Sequence, residues 1–207
     1  FTQPSFAAAQ QVAGTAYLDP KAESAWVKAL SDQVQGARKC AQVVLACVHW
    51  GMNWAAEPTA EKRKLGYALI DAGFDAVLGT SAHVLQGIEL YTGRPILHDA
   101  GDLLFDSKGK PPDGGLFRLF IDGDGVAQID FIPTHVGFGF TRVQEGDTAE
   151  QACEAFARQC EELGTTLVRG TQPGTRSLGL RRGVGLYAPP QSPAKSRDQD
   201  QMSVDVD

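Results

Sequence analysis

Val43-Val44-Leu45-Ala46-Cys47-Val48-His49-Trp50-Gly51 is an apolar run that stops at a histidine, an aromatic residue and a glycine. Ala76-Val77-Leu78-Gly79-Thr80-Ser81-Ala82-His83 repeats that logic. Strands covered on both faces read as continuous apolar runs rather than alternating ones, so both stretches read as buried strands. Each delivers one histidine to the loop that follows it. In open α/β sheets, ligands sit outside the carboxyl ends of the strands. Imidazole at such a rim is a common metal ligand and a usual acid–base group. The two runs therefore predict a site, most simply a metal site, of which this stretch of sequence shows a part.

Between the two runs, Pro58-Thr59 opens a helix with Leu65, Ala68, Leu69 and Ala72 apolar, and Gly73 suits its C-terminal stop. Strand, helix and strand in that order predict a right-handed parallel crossover. Upstream, Asp19-Pro20 is a helix start, and Ala22, Trp26, Leu30, Val34 and Ala37 recur at helical spacing to about Lys39. Residues 1–18 read as irregular, with Val12 to Tyr17 as a candidate edge strand. Downstream, Gly87 to Tyr91 and Arg94 to His98 flank Thr92-Gly93, a hairpin signal. Ser107 to Gly115 reads as a loop. Leu116 to Ile121 and Val126 to Ile132 form a second hairpin around Asp122-Gly123-Asp124-Gly125. Thr148 with Gln151 resembles a capping box, opening a helix to Leu163 with Gly164 as its stop. From about Gly170 the composition predicts a disordered tail. The expected division is a folded region over 1–169 and a tail over 170–207.

The chain has 207 residues, 43% of them hydrophobic, enough for one domain with a core. A net charge of −6 argues against general binding to nucleic acid or anionic lipid. No apolar run approaches the roughly 20 residues that span a bilayer. Phe1-Thr2-Gln3-Pro4 lacks an initiator Met and any positive region followed by an apolar core, so it reads as the start of a fragment, not as a signal peptide. Cys40, Cys47, Cys153 and Cys160 show no C-x-x-C spacing, so they read as small buried thiols.

His49 and His83 are the candidate metal ligands, each weighed against a histidine that only bonds a loop carbonyl. Thr80 and Ser81 are candidate substrate-binding residues, because a small polar loop lets backbone amides approach an anion. Asp102, after a glycine at the same rim, is the candidate catalytic carboxylate, to bind metal or orient an imidazole; a plain turn aspartate is the equal alternative. Two histidines fall short of a hydrolytic metal site, which needs three or more ligands and an open position for water. Glu89 reads as solvated or paired with Arg94. His98 and Asp99 should point to opposite faces, with a surface role for at least one. His135 reads as a loop histidine, and Arg181, Arg182 and Lys195 as solvated. Asp122 to Gly125 lacks the calcium-loop pattern. Gly137-Phe138-Gly139-Phe140 lacks the helix a dinucleotide site requires. No Gly-x-Ser-x-Gly elbow marks a serine hydrolase.

His49-Trp50-Gly51, Gly73-Phe74-Asp75-Ala76-Val77-Leu78-Gly79, His83-Val84-Leu85-Gln86-Gly87-Ile88-Glu89 and Ala100-Gly101-Asp102-Leu103-Leu104-Phe105-Asp106 follow one another in this order. The set resembles the CapA/PgsA family of poly-γ-glutamate capsule synthesis, over roughly Leu45 to Gly164. That resemblance implies an α/β (α+β) fold, the C-terminal half of a metallophosphoesterase-like two-sheet sandwich flanked by helices. It implies two divalent metal ions (manganese, iron or zinc), an anionic polymer or phosphoryl ester as substrate, and a cell-envelope location. The implied activity is that of a metal-dependent phosphoesterase-like hydrolase when intact, or else a non-catalytic, polymer-handling role. The family's Gly-Asp and Asn-Asn-His motifs do not occur upstream of His49. Asn53 stands where the family usually has glutamate, Thr80-Ser81-Ala82 where it has His-His-Pro, and Gly101-Asp102 where it often has Gly-Asn. A missing N-terminal half, or a partner chain, is expected to complete both the site and the sandwich. Alone, the stretch should be inactive and poorly stable.

Overall fold

Period-two alternation in the apolar runs decides which face each residue covers. In the computed structural model, Ala76 and Val77 are both fully buried but belong to different clusters, as do Ile96 and Leu97. The first sheet is thus covered on both faces. The structure describes residues 7–8, 11–14, 16–17, 19, 23–104, 113–181 and 185–186.

That sheet has the order β1(Leu45–His49), β2(Ala76–Thr80), β4(Arg94–Ala100), β3(Leu85–Tyr91). β1, β2 and β4 run parallel and β3 returns antiparallel to β4. Thr92 (φ 49°) and Gly93 (φ 78°) make the tight turn between β3 and β4. On one face lie α1(Glu23–Ala37) and α2(Ala60–Asp71), whose Trp26, Leu65 and Leu69 meet Val77 and Ile96. Thr59 caps α2 by accepting the Lys62 N–H, and Gly73 (φ 110°) follows its C-cap, as the sequence predicts. The other face packs Ala76, Ile88 and Leu97 against α3(Gly146–Glu162) and a second sheet. There Phe156 stacks on Phe131 with ring centroids 4.2 Å apart.

The second sheet is antiparallel, in the order β5(Asp113–Asp122), β6(Gly125–Gly137), β9(Arg176–Gly179), β8(Val168–Arg169). β7(Phe140–Val143) pairs with the far half of β6. Two sheets with helices on the outside and between them make an α+β sandwich, as expected.

Several sequence expectations change. Residues 170–181 do not begin a tail: β9 pairs with β6, and Arg176, Ser177 and Leu178 are buried. The Gly, Ser and Arg composition concealed a short strand whose polar side chains find buried partners. The remainder of 170–207 lies outside the described residues, apart from 185–186. Arg181 pairs with Asp122 at 2.7 Å, while Arg182 and Lys195 lie outside. Gly114 and Gly115 belong to β5, and residues 105–112 lie outside the described ones. His135 sits within β6, opposite Arg142. Among the described residues of 11–17 no strand forms, and Val12 makes only a single bridge. α3 is capped at Glu145, and the Thr148 hydroxyl donates to the Glu145 carbonyl from inside the first turn, so no capping box forms. Cys40 and Cys47 are exposed. Cys153 and Cys160 are buried, which pushes their thiols up to about 11 and about 12.

Candidate functional site

The rim forms where β1, β2 and β4 end. His49 is level with Thr80 across the parallel ladder, and its Nδ1 lies 3.3 Å from the Thr80 hydroxyl. The Thr80 hydroxyl also reaches the Val48 carbonyl at 3.4 Å. Both side chains are exposed. Trp50 turns back into the core, its N–H donating to the Thr80 carbonyl and its indole N–H to the His98 carbonyl, both at 2.9 Å. Gly51 (φ 90°) leaves room for Lys62, whose Nζ would lie 3.1 Å from an added Cβ.

His83 is three residues beyond Thr80. Its Nδ1 lies 2.8 Å from an Asp102 oxygen. A carboxylate only accepts, so Nδ1 carries the proton and Nε2 is the basic nitrogen of the ring. Trp54 stacks on the His83 ring at 5.0 Å and 18°, and its N–H donates to the Ala82 carbonyl at 2.7 Å. Trp54 (φ 66°), Ser81 (φ 118°) and His83 (φ 59°) are all left-handed. Such conformations cost about 1–3 kcal/mol each in non-glycine residues and cluster at functional sites. A cavity of about 280 Å³ opens beside this stack, lined by Trp54, His83, Leu85, Phe156 and Gln159 among others.

The structure therefore brings His49 and His83 to the same end of the sheet and joins His83 to Asp102. Ser81 is half-buried beside them. The Ala82 amide does not point at an incoming anion, because it donates to Asp99 at 2.8 Å. Among the described residues no three His, Cys, Asp or Glu side chains lie close enough to hold one metal ion. His83 and Asp102 could supply two donors, and among the described residues no third joins them.

Sequence reasoning missed the buried polar groups behind the rim. His98 and Asp99 are both fully buried, so neither has a surface role. Glu89 is buried too and does not pair with Arg94. It takes Arg63 in a two-pronged bond, the Tyr67 hydroxyl, and His98 Nε2 at 2.9 Å. Burial alone would raise the Glu89 carboxyl; the hydrogen bonds from Arg63, Tyr67 and His98 hold it below its usual value. Burial pushes His98 down to about 4. Lys62 is 3% exposed, its Nζ 2.7 Å from the Gln86 oxygen and 3.6 Å from Asp99. Burial lowers Lys62 to about 8 and raises Asp99. A signal for these existed: Lys62 occupies the apolar face of α2 with Leu65 and Leu69, and Asp99 extends a fully buried strand. Charges where the pattern asks for apolar residues mark buried partners.

The family model described as bacterial capsule synthesis protein PGA_cap matches residues 1–107, more than half of the chain. The protein belongs to that family. The match spans the first sheet and the whole rim. The chain is 29% identical over 132 residues to the PGA biosynthesis protein CapA of Bacillus subtilis, covering 63% of this chain and 33% of that protein. It is 29% identical over 100 residues to the capsule biosynthesis protein CapA of Bacillus anthracis, covering 48% and 24%. It is 36% identical over 77 residues to a probable polyglutamine synthesis accessory protein of Mycobacterium tuberculosis, covering 37% and 20%. The chain thus spans a third or less of these relatives' length. No helix among the described residues is long and apolar enough to cross a membrane.

Proposed function

We propose that this chain supplies one wall of a hydrolytic site in a longer capsule-synthesis protein, one that acts on a phosphoryl ester or an anionic polymer at the cell envelope. The observation that carries the reading is the His83–Asp102 pair at the carboxyl ends of the parallel strands β2 and β4. A histidine whose Nδ1–H is held by a carboxylate presents Nε2 in a fixed tautomer and orientation. That suits either a metal ligand or a group that takes a proton from water. His49 stands at the same rim as the second imidazole, and Thr80 and Ser81, between the two in sequence, would contact the substrate. Divalent ions bound there would activate water and neutralise phosphoryl oxygens; their remaining ligands would come from sequence beyond this stretch.

The test is hydrolysis of a phosphodiester such as bis(p-nitrophenyl) phosphate by the full-length protein with manganese. Metal-dependent turnover is expected, falling about a hundredfold in His83→Ala and about tenfold or more in Asp102→Asn. Turnover that is unchanged in both variants would overturn the reading. A second reading, polymer handling without catalysis, draws on Asn53 and Thr80-Ser81 in place of the family's acidic and histidine residues. Absence of any turnover, with capsule synthesis still dependent on His83, would favour it.

A further inference from the structure

The polar residues nearest the rim do not face it. Lys62, Gln86 and Asp99 are each at most 3% exposed. Opposite charges buried this deeply hold only if both are fully hydrogen-bonded, and what Asp99 bonds is informative. One of its oxygens accepts the Ala82 N–H at 2.8 Å, and the other accepts the Gly101 N–H at 3.1 Å. Ala82 and Gly101 immediately precede His83 and Asp102. A single carboxylate therefore grips the backbone just before each member of the pair. The first loop needs such a grip: Ser81 and His83 hold left-handed backbone, which persists in non-glycine residues only when the surroundings over-determine it. In the second loop Gly101 (φ 68°) makes its turn freely, and the bond from its N–H to Asp99 fixes where that turn sits. Lys62 extends the connection through Gln86, whose Nε2 donates to the Ala55 carbonyl at 2.7 Å. Ala55 adjoins Trp54, the ring stacked on His83.

We propose that Asp99, neutralised by Lys62, is a positioning residue that sets the His83–Asp102 hydrogen bond by holding the two loops in register, without touching substrate. The inference deepens the reading of this rim as the working site, and its first readout needs no activity. An asparagine at 99 can accept from only one side, and its NH2 would face the N–H of Ala82 or of Gly101. One loop is then released.

The experiment uses the full-length protein with ring-¹⁵N histidine, followed by NMR. The wild type should show His83 as a single Nδ1–H tautomer with a protected Nδ1 proton. Asp99→Asn should lose that protection and show both tautomers. Because the single variant leaves Lys62 buried without its counter-charge, Lys62→Met with Asp99→Asn removes both charges together. That double variant should unfold cooperatively yet still lack the His83 signature, and where the wild type turns substrate over, kcat should fall while KM holds. A purely structural Asp99 would change the melting temperature and leave the His83 ring of the folded variant as in the wild type. That result, or a wild type with no protected Nδ1 proton, overturns the proposal. A wild type that shows the ring signature but no hydrolysis would defeat the proposed activity and leave this inference standing.

Discussion

His98 is fully buried between Trp50 and Glu89, and only one of its nitrogens finds a partner, the Nδ1 atom having none. The ring is therefore held neutral, with Nε2–H donating to Glu89, and burial keeps it so down to about 4. The unfolded chain takes up the proton near 6.5. Between those values the unfolded state binds more protons, so stability rises with pH across the window and is lost as pH falls through it, by up to about 3 kcal/mol. Urea unfolding at pH 4.5 and 7 should show this slope, and His98→Leu should flatten it; a slope equal to wild type would show that other groups cause it. Gly79 teaches the same lesson about close approach. A Cβ there would run into the His98 and Leu97 carbonyls and the Trp50 indole nitrogen. Gly79→Ala should cost about 3 kcal/mol, because backbone and a buried ring cannot both yield. An unchanged denaturation midpoint would refute that.

α3 is the element that joins the two sheets. Its Phe156 is 1% exposed, stacked on Phe131 and edge-on to Phe117, and its Cys160 sulfur accepts the Ile88 N–H at 3.2 Å. Gly87 in β3 is a glycine because a Cβ would meet the Gln159 carbonyl at 2.6 Å. Phe156→Ala should destabilise by about 4 kcal/mol, read as a lowered urea midpoint; a loss under 1 kcal/mol would mean α3 is not what holds the layers together. The sequence made α2, β2 and the first hairpin legible because caps, glycine stops and unbroken apolar runs agreed with one another. β7 and β9 were not legible: each is four residues long and lies in a glycine-rich stretch. β7 folds back on β6 through a short hairpin turn whose flanks do not alternate, and the pairing of β9 with β6 is a long-range contact that no local pattern encodes. The position of His49, His83 and Asp102 was legible, since each ends or follows a strand. The brace behind the rim was not, because Asp99 and Lys62 lie 37 positions apart and only the fold closes that distance.

At the scale of the whole molecule, helices, sheet and second sheet cover one another, but two borders stay open among the described residues. β1 is the outer strand of its sheet, with Cys47 and His49 exposed along it. Around β7, Leu104 is 85% exposed, Phe138 74% and Phe140 51%. An unpaired strand edge is a template for another strand, and a contiguous apolar patch favours burial against a partner. The relatives are at least three times longer than the stretch matched here, so in those proteins further chain is available to cover the corresponding borders. The 207 residues produced alone should therefore associate as their concentration rises, seen as a growing mass in light scattering. A lysine in the middle of an edge strand blocks pairing by forcing a charge into the junction. Cys47→Lys should thus return the chain toward monomer with its thermal transition little changed, because residue 47 is already exposed. Association that survives Cys47→Lys but yields to Phe138→Ser would move the sticky border from β1 to the β7 hairpin. A wild-type chain that stays monomeric and melts cooperatively at high concentration would show that neither border seeks a partner.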